Sequence, residues 1–194
     1  YQHNEMENLE KRLKKYRKKY GRAMIVSDSV FSMDGDCAKL DKLVELKKEY
    51  NAILMIDEAH GTGVLGDDGA GLASEMNLCQ EIDINMGTLG KSFGLQGAYI
   101  AANEDIINYL INNARSFIYT TAISPIIIAG AIKALDLIKK GDGRRKKVKK
   151  MSSYFRGKLN EMGYDTGDST TQIIPVISGE NEKALKLSEK LYDN

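Results

Sequence analysis

Apolar and polar positions alternate with two periods along the first 60 residues. Leu9, Leu13 and Tyr16 recur at helical spacing among charged residues, whereas Ala52–Ile56 is a continuous apolar run of the kind that forms a buried strand. A strand, an amphipathic helix and a second strand at this spacing form a βαβ unit, so we expect a parallel sheet. The predicted elements are a helix over 5–20, a strand over 22–28, a helix over 40–50 and a strand over 52–56.

The same two patterns continue through the rest of the chain, interrupted by glycine-rich turns. Closely spaced glycines between Gly61 and Gly71 predict a loop, and the Ser124-Pro125 pair predicts the start of a helix. The further predicted elements are strands over 82–86, 97–102 and 172–177, and helices over 104–113, 125–139, 144–162 and 180–192.

A break at Gly141-Asp142-Gly143 predicts a domain boundary. We expect residues 1–141, including the helix over 125–139, to form part of a large α/β domain. Residues 142–194 are then part of a small α+β domain. The sheet of the large domain is predicted to be mostly parallel and flanked by helices.

Composition and charge exclude several classes of protein. The 28 basic and 27 acidic residues give a net charge of +1, so no overall field favours nucleic acid or an anionic membrane. Cys37 and Cys79 are too few for a disulfide scaffold and do not form a metal-type pair, which indicates reduced thiols and a cytoplasmic protein. No apolar run is long enough for a transmembrane helix, and the first residues are not typical of a signal peptide.

A run of basic residues over 144–150 allows two interpretations. We interpret it as the solvated face of a helix whose Val148, Met151 and Phe155 pack inward. The alternative is a contact with the phosphates of coenzyme A or with the acidic face of a carrier protein. A nucleic-acid role is not expected, because the run lacks interleaved aromatic residues.

Three segments carry residues suited to chemistry, each directly after a predicted strand. Asp57 and His60 follow the strand over 52–56, Lys91 lies in a glycine-rich turn after the strand over 82–86, and Ser32 follows the strand over 22–28. Ligands of open α/β sheets bind at the carboxyl ends of strands, so these side chains are candidates for one site. Taken singly, the Asp57 segment is equally compatible with an aspartate that caps the loop, and the Lys91 segment with a surface turn. The segment with Ser32, taken alone, is interpreted as an ordinary turn around Asp34-Gly35.

Two chemistries fit Asp-Glu-Ala-His together with Gly-Lys-Ser, and the pattern favours the second. The phosphate loop of a nucleoside triphosphatase needs a glycine where Asn85 stands, and Gly94 and Gly97 prevent Lys91 from opening a helix. Pyridoxal phosphate needs a lysine amine, a carboxylate against its pyridine nitrogen and donors for its phosphate and phenolic oxygens. Asp57 and Lys91 meet the first two needs.

At these residues the sequence resembles a known family. The motifs Phe31-Ser-Met-Asp-Gly35, Asp57-Glu-Ala-His-Gly-Thr-Gly-Val-Leu-Gly66 and Gly87-Thr-Leu-Gly-Lys91 are similar to those of the α-oxoamine synthases, which are fold-type I pyridoxal-phosphate transferases. The resemblance is strongest over 30–125 and continues more weakly across nearly the whole chain.

The resemblance implies a role for each matching position. Lys91 carries pyridoxal phosphate as a Schiff base and moves the substrate α-proton, and Asp57 pairs with the pyridine nitrogen. His60 donates to the phenolic oxygen with Ser32 near the same edge. Thr88 binds the phosphate.

Thr120 matches a hydroxyl that reaches the phosphate of a second subunit, so the resemblance also implies a homodimer. Ala59–Gly63 and Ala114–Thr121 are similar to the branch that condenses L-alanine with pimeloyl-CoA or a pimeloyl-carrier protein in biotin biosynthesis. Decarboxylation accompanies that condensation. The alternatives are a glycine-using enzyme like 2-amino-3-ketobutyrate CoA ligase, and a cofactor-binding fragment that is catalytically incomplete.

Two parts of the family pattern have no match in this chain. A ring-stacking histidine is expected upstream of the matched motifs, and His3 lies outside that context and is interpreted as a surface residue. An arginine for the substrate carboxylate is expected downstream. Since the chain also starts without methionine, we expect it to be an internal fragment of a longer enzyme.

Overall fold

The computed structural model describes residues 1–193 and is built on a four-stranded sheet with the order β1-β2-β3-β4. Strands β1, β2 and β3 are parallel, and β4 is antiparallel to β3, which confirms the predicted mostly parallel sheet. The strands are β1 (Met24–Asp28), β2 (Ile53–Asp57), β3 (Ile84–Thr88) and β4 (Ala98–Ala102). The strand predicted over 82–86 thus begins two residues later than expected.

Helices flank and follow this sheet. They are α1 (Met6–Tyr16), α2 (Leu40–Glu49), α3 (Leu72–Glu75), α4 (Glu104–Asn113), α5 (Arg115–Ile118), α6 (Pro125–Lys139), α7 (Asp142–Glu161) and α8 (Asn181–Tyr192). The six predicted helices are confirmed, although α1 ends at Tyr16 rather than Tyr20. Arg17 directly follows α1, and its guanidinium donates to the carbonyls of Tyr20 and Tyr50. These hydrogen bonds hold the chain where it leaves the helix and leads to β1.

The core lies between α2 and one face of the sheet. Leu40 and Leu43 of α2 and Leu54 and Ile56 of β2 are fully buried. The two leucines of α2 lie three residues apart and therefore on one face of the helix, while alternate residues of β2 point to the same face of the sheet. Burial of such side chains removes apolar surface from water and fixes the orientation of β2, which ends at Asp57.

The helices after β4 bury much less. Val148, Met151 and Phe155 of α7 are 40%, 53% and 54% exposed, so the inward packing predicted for them is wrong within residues 1–193. The lysines of the basic run are exposed, as predicted. The polar and the apolar sides of α7 therefore both face solvent. Among the described residues, no helix is long and apolar enough to cross a membrane.

The strand predicted over 172–177 does not form. A strand needs a hydrogen-bonding neighbour, and in this segment only Ile177 pairs, through a single bridge to Asp165. Pro175 also lacks the amide hydrogen that a ladder would require. The residue before the segment is held by the turn after β1, where the carbonyl of Gly35 accepts from Thr171 Oγ1 at 2.8 Å.

Candidate active site

Two parallel strands end in carboxylates at the same edge of the sheet. Asp28 at the end of β1 is in register with Asp57 at the end of β2, so both carboxylates lie on adjacent strands at one level. The next strand, β3, ends at Thr88 and leads into the turn that carries Lys91. Ligands of α/β sheets bind at this edge, and the predicted convergence of the segments after β2 and β3 is seen here.

Lys91 and His60 are in direct contact. The Nζ atom of Lys91 lies 2.7 Å from Nε2 of His60. Because a lysine ammonium only donates hydrogen bonds, this contact requires a neutral imidazole with its lone pair at Nε2. Burial, followed by the positive charge of Lys91, lowers the pKa of His60 below its usual 6.5, which favours that neutral form.

Asp57 and Asp28 form the acidic side of the same group. The Oδ1 atom of Asp57 accepts from the amide of Ala59 at 2.7 Å, so the aspartate does cap the loop, while its Oδ2 makes no hydrogen bond with any described residue. Burial and the negative charge of Asp57 raise the pKa of Asp28. His60 and Lys91 act on Asp28 in the opposite direction, which places all four groups within one electrostatic neighbourhood.

A glycine lets the two site loops approach each other. Gly63 has φ +82°, and a Cβ atom there would lie 2.6 Å from the Cβ of Ser92, the residue after Lys91. Real Cβ atoms do not come this close, so a larger residue would push the Lys91 turn away from the loop after β2. The absence of a side chain at Gly63 therefore allows the Lys91 turn to lie close to the loop that carries His60.

The remaining predicted site residues make no hydrogen bond with His60 or the Lys91 amine. The Oγ1 atom of Thr88 accepts from the amide of Gly90 at 3.0 Å and so holds the turn that carries Lys91. Ser32 is exposed in the turn after β1, and Thr120 is exposed after α5. Neither hydroxyl makes a hydrogen bond with another described residue, so their assignment to the cofactor stays a prediction.

Glu58, next to Asp57 in sequence, has a structural role. The residue is 4% exposed, and its carboxylate accepts from Ser29 Oγ at 2.7 Å and from the amides of Leu72 and Ala73 at 3.1 and 2.8 Å. These bonds tie the end of β2 to the residue after β1 and to the first turn of α3. The carboxylate therefore fixes the end of β2, where Asp57 lies, and the loop from which His60 projects.

Two neighbours of the site were not identified from the sequence. Asp28 ends β1 just as Asp57 ends β2, and this shared position is a signal that could have identified it. Gln172 donates through Nε2 to the backbone carbonyl of His60 at 2.9 Å, across 112 residues of sequence. No local sequence pattern predicts a contact between residues so far apart in the chain.

Comparison with known proteins agrees with this geometry. The model of the family "aminotransferase class I and II" matches residues 1–194. The chain is similar over 100% of its length to 8-amino-7-oxononanoate synthases of Geobacter sulfurreducens, with 47% identity, and of Thermoanaerobacter pseudethanolicus, with 44% identity. It spans about half the length of these curated relatives, namely 50% and 49%.

Solved structures with the same fold include enzymes of two specificities. Serine palmitoyltransferase of Sphingomonas wittichii superimposes with a TM-score of 0.91 at 30% identity, over 98% of this chain and 48% of its own. For 8-amino-7-oxononanoate synthase of Francisella tularensis the TM-score is 0.86 at 29% identity, over 100% and 56%.

A further neighbour, a structure of SPT with PLP, has a TM-score of 0.90 at 28% identity and covers 98% of this chain and 48% of its own. The predicted fold class and the predicted cofactor class, pyridoxal phosphate, are thereby confirmed. The chain belongs to the aminotransferase class I and II family.

Proposed function

We propose that this chain is part of a pyridoxal-phosphate enzyme that condenses L-alanine with the pimeloyl thioester of coenzyme A or of a carrier protein. The products are 8-amino-7-oxononanoate, carbon dioxide and the free thiol. The observation that carries the proposal is the convergence of Lys91, His60 and Asp57 at the carboxyl edge of the sheet. Identities of 47% and 44% to two 8-amino-7-oxononanoate synthases support the choice of substrates.

The donor set fits the cofactor. A primary amine, an imidazole and a carboxylate with one uncapped oxygen lie in one neighbourhood, next to a glycine-rich turn. Bound pyridoxal phosphate supplies an electron-withdrawing ring that stabilises negative charge at the substrate α-carbon. No separate base is needed at the site, because the Lys91 amine can take up the α-proton.

Each of the central residues has one task in this proposal. Lys91 binds the cofactor through its amine, and afterwards accepts and returns the α-proton. Asp57 holds a proton on the pyridine nitrogen through its free Oδ2. His60 is assigned to donate a hydrogen bond to the phenolic oxygen, and its neutral imidazole retains one N–H for that purpose.

The outer residues bind the rest of the cofactor. Thr88 donates its hydroxyl to the phosphate while its oxygen keeps the amide of Gly90, and Ser32 contributes a hydroxyl at the phenolic edge. Thr120 is exposed and is assigned to the phosphate of a second subunit. The proposed enzyme is therefore a homodimer, and its two free cysteines suit the cytoplasm.

Reduction by borohydride in the presence of pyridoxal phosphate tests the assignment of Lys91. We expect a single stable pyridoxyl adduct, located on Lys91 by peptide mapping, and at least about a 10³-fold loss of turnover in Lys91→Ala. Lys150→Arg, on the exposed face of α7, is the matched control and should label normally. Equal labelling of the unsubstituted protein and of Lys91→Ala would contradict the proposal.

The amino-acid substrate is tested separately. L-alanine, glycine and L-serine are added in turn to the cofactor-loaded protein, and the change in cofactor absorbance gives an affinity for each. We expect L-alanine to saturate the change at the lowest concentration. A preference for glycine would instead support an enzyme of the 2-amino-3-ketobutyrate CoA ligase type, and a preference for L-serine one related to the serine palmitoyltransferases.

A further inference from the structure

Gln172 connects the segment after α7 to the candidate active site. Its Nε2 atom donates to the backbone carbonyl of His60 at 2.9 Å. Among residues 1–193, no other group donates to that carbonyl. The orientation of the His60 peptide thus depends on one side chain that comes from a distant part of the chain.

The segment that carries Gln172 is itself anchored on both sides. The carbonyl of Gly35 accepts from the hydroxyl of Thr171 at 2.8 Å and from the amides of Thr170 and Thr171 at 3.1 and 3.2 Å. The guanidinium of Arg156 in α7 donates to the carbonyls of Thr171 and Thr170 at 2.8 and 3.3 Å. A side chain on so firmly held a segment can fix a neighbouring loop.

The amide of Gln172 is not arranged for stability. Its Oε1 atom is buried and has no hydrogen-bond partner among the described residues. A buried carbonyl oxygen without a partner destabilises the fold, and an apolar side chain of the same length, such as methionine, would avoid that penalty. The amide is therefore explained by what Nε2 does for His60 rather than by the packing of Gln172 itself.

We propose that Gln172 is a positioning residue, which holds the His60 peptide so that Nε2 of His60 meets Nζ of Lys91. Through it, the segment after α7 contributes to the geometry of the site without touching substrate or cofactor. The catalytic importance of His60 rests on the proposed function above, whereas the contact between Gln172 and His60 does not.

Titration of the histidines by NMR tests this role without the cofactor. The chain has two histidines, His3 and His60, so a His3→Gln variant assigns both signals. In Gln172→Met we expect the pKa of His60 to rise toward its usual value, because a loosened loop loses the burial that lowers it. The charged groups that act on His60 are Lys91, Asp28 and Asp57, and the substitution changes none of them.

Affinity and stability give two further readouts. We expect Gln172→Met to bind pyridoxal phosphate about fivefold more weakly, since one hydrogen bond that orders the site is lost. Its Tm should stay within about 3 °C of the unsubstituted chain, because removal of the unpartnered Oε1 offsets the lost bond. Gln172→Asn keeps the amide but shortens its reach, so the pKa of His60 should rise in this variant as well.

Thr166→Val is the matched control, because Thr166 also lies in the segment after α7. The substitution removes the 2.9 Å hydrogen bond from Thr166 to Asn160 of α7 and alters no contact of His60. It should leave the titration of His60 unchanged. A His60 that titrates identically in Gln172→Met, in Gln172→Asn and in the unsubstituted chain would overturn the positioning role. That result would leave the borohydride labelling of Lys91 intact, and failed labelling would leave the His60 titration intact, so the two proposals fail separately.

Discussion

Apolar side chains are buried between the sheet and α2, whereas those of the helices that follow β4 are exposed or only partly buried. In the first region Leu43, Leu54 and Ile56 are fully buried, whereas within residues 104–193 none of the helices α4 to α8 has a buried residue. Leu185 of α8, for example, is 64% exposed. The difference shows that the candidate active site stands on the region that has its own core, and that the second region adds polar contacts to it.

Those polar contacts are few and specific. Arg156 and Thr171 hold the segment after α7 on the turn of Gly35, and Gln172 extends from that segment to His60. A rigid core fixes Asp57 because β2 is packed on one face and paired on both edges. His60 lies beyond the end of the strand, so its position depends on hydrogen bonds instead.

The largest difference between the two regions is expected for leucine truncation. Leu54→Ala should lower the free energy of unfolding by about 3 kcal/mol, because it leaves a cavity at a fully buried position of β2. Leu185→Ala should change it by less than about 0.5 kcal/mol, because that side chain is already in contact with water. Urea denaturation of both variants measures the two values, and similar values would contradict the comparison.

A smaller loss is expected where the core region depends on a buried charge. Glu58→Gln should lower the free energy of unfolding by about 2 kcal/mol. The amide nitrogen that replaces one carboxylate oxygen cannot accept a hydrogen bond, so at least one buried donor loses its acceptor. Glu189→Gln, at an exposed position of α8, is the matched control and should have an effect below about 0.5 kcal/mol. If both variants unfolded at the same urea concentration, Glu58 would not be the structural link between β2 and α3.

The core region was predictable from sequence because its signals are local. Ala52–Ile56 is a continuous apolar run that predicts a buried strand, and Asp57 and His60 follow it directly, so the strand and the candidate site residues are predicted together. Lys91 was found for the same reason, as a lysine in a glycine-rich turn after a strand. Asp28 ends β1 as Asp57 ends β2. The same rule, that polar residues at the carboxyl end of a strand are site candidates, would therefore also select Asp28.

The second region was less predictable because its structure depends on partners far away in sequence. Residues 172–177 have the composition of a strand, but a strand exists only where another strand pairs with it, and here only Ile177 does. The apolar stripe of α7 predicted burial, yet Met151 and Phe155 are exposed within residues 1–193. The contact of Gln172 with His60 joins residues 112 positions apart, and no periodicity encodes it.

The smallest predicted effect concerns the pair of carboxylates at the edge of the sheet. Burial first, and then the negative charge of Asp57, raise the pKa of Asp28 above its usual 3.8. A raised carboxyl pKa means that the ionised form is disfavoured in the fold. The stability that Asp28 contributes is therefore present below its unfolded pKa and is lost as the pH rises through its folded pKa.

Replacement of Asp28 by asparagine should for this reason stabilise the protein only where the carboxylate is ionised. We expect Asp28→Asn to raise Tm by about 2 °C at pH 7, since the group is partly solvated, and to leave it nearly unchanged at pH 3. Asp168→Asn, in an exposed turn, should have little effect at either pH. An equal gain at both pH values would trace the effect to packing rather than charge, and a loss at pH 7 would mean that Lys91 and His60 together outweigh the repulsion from Asp57.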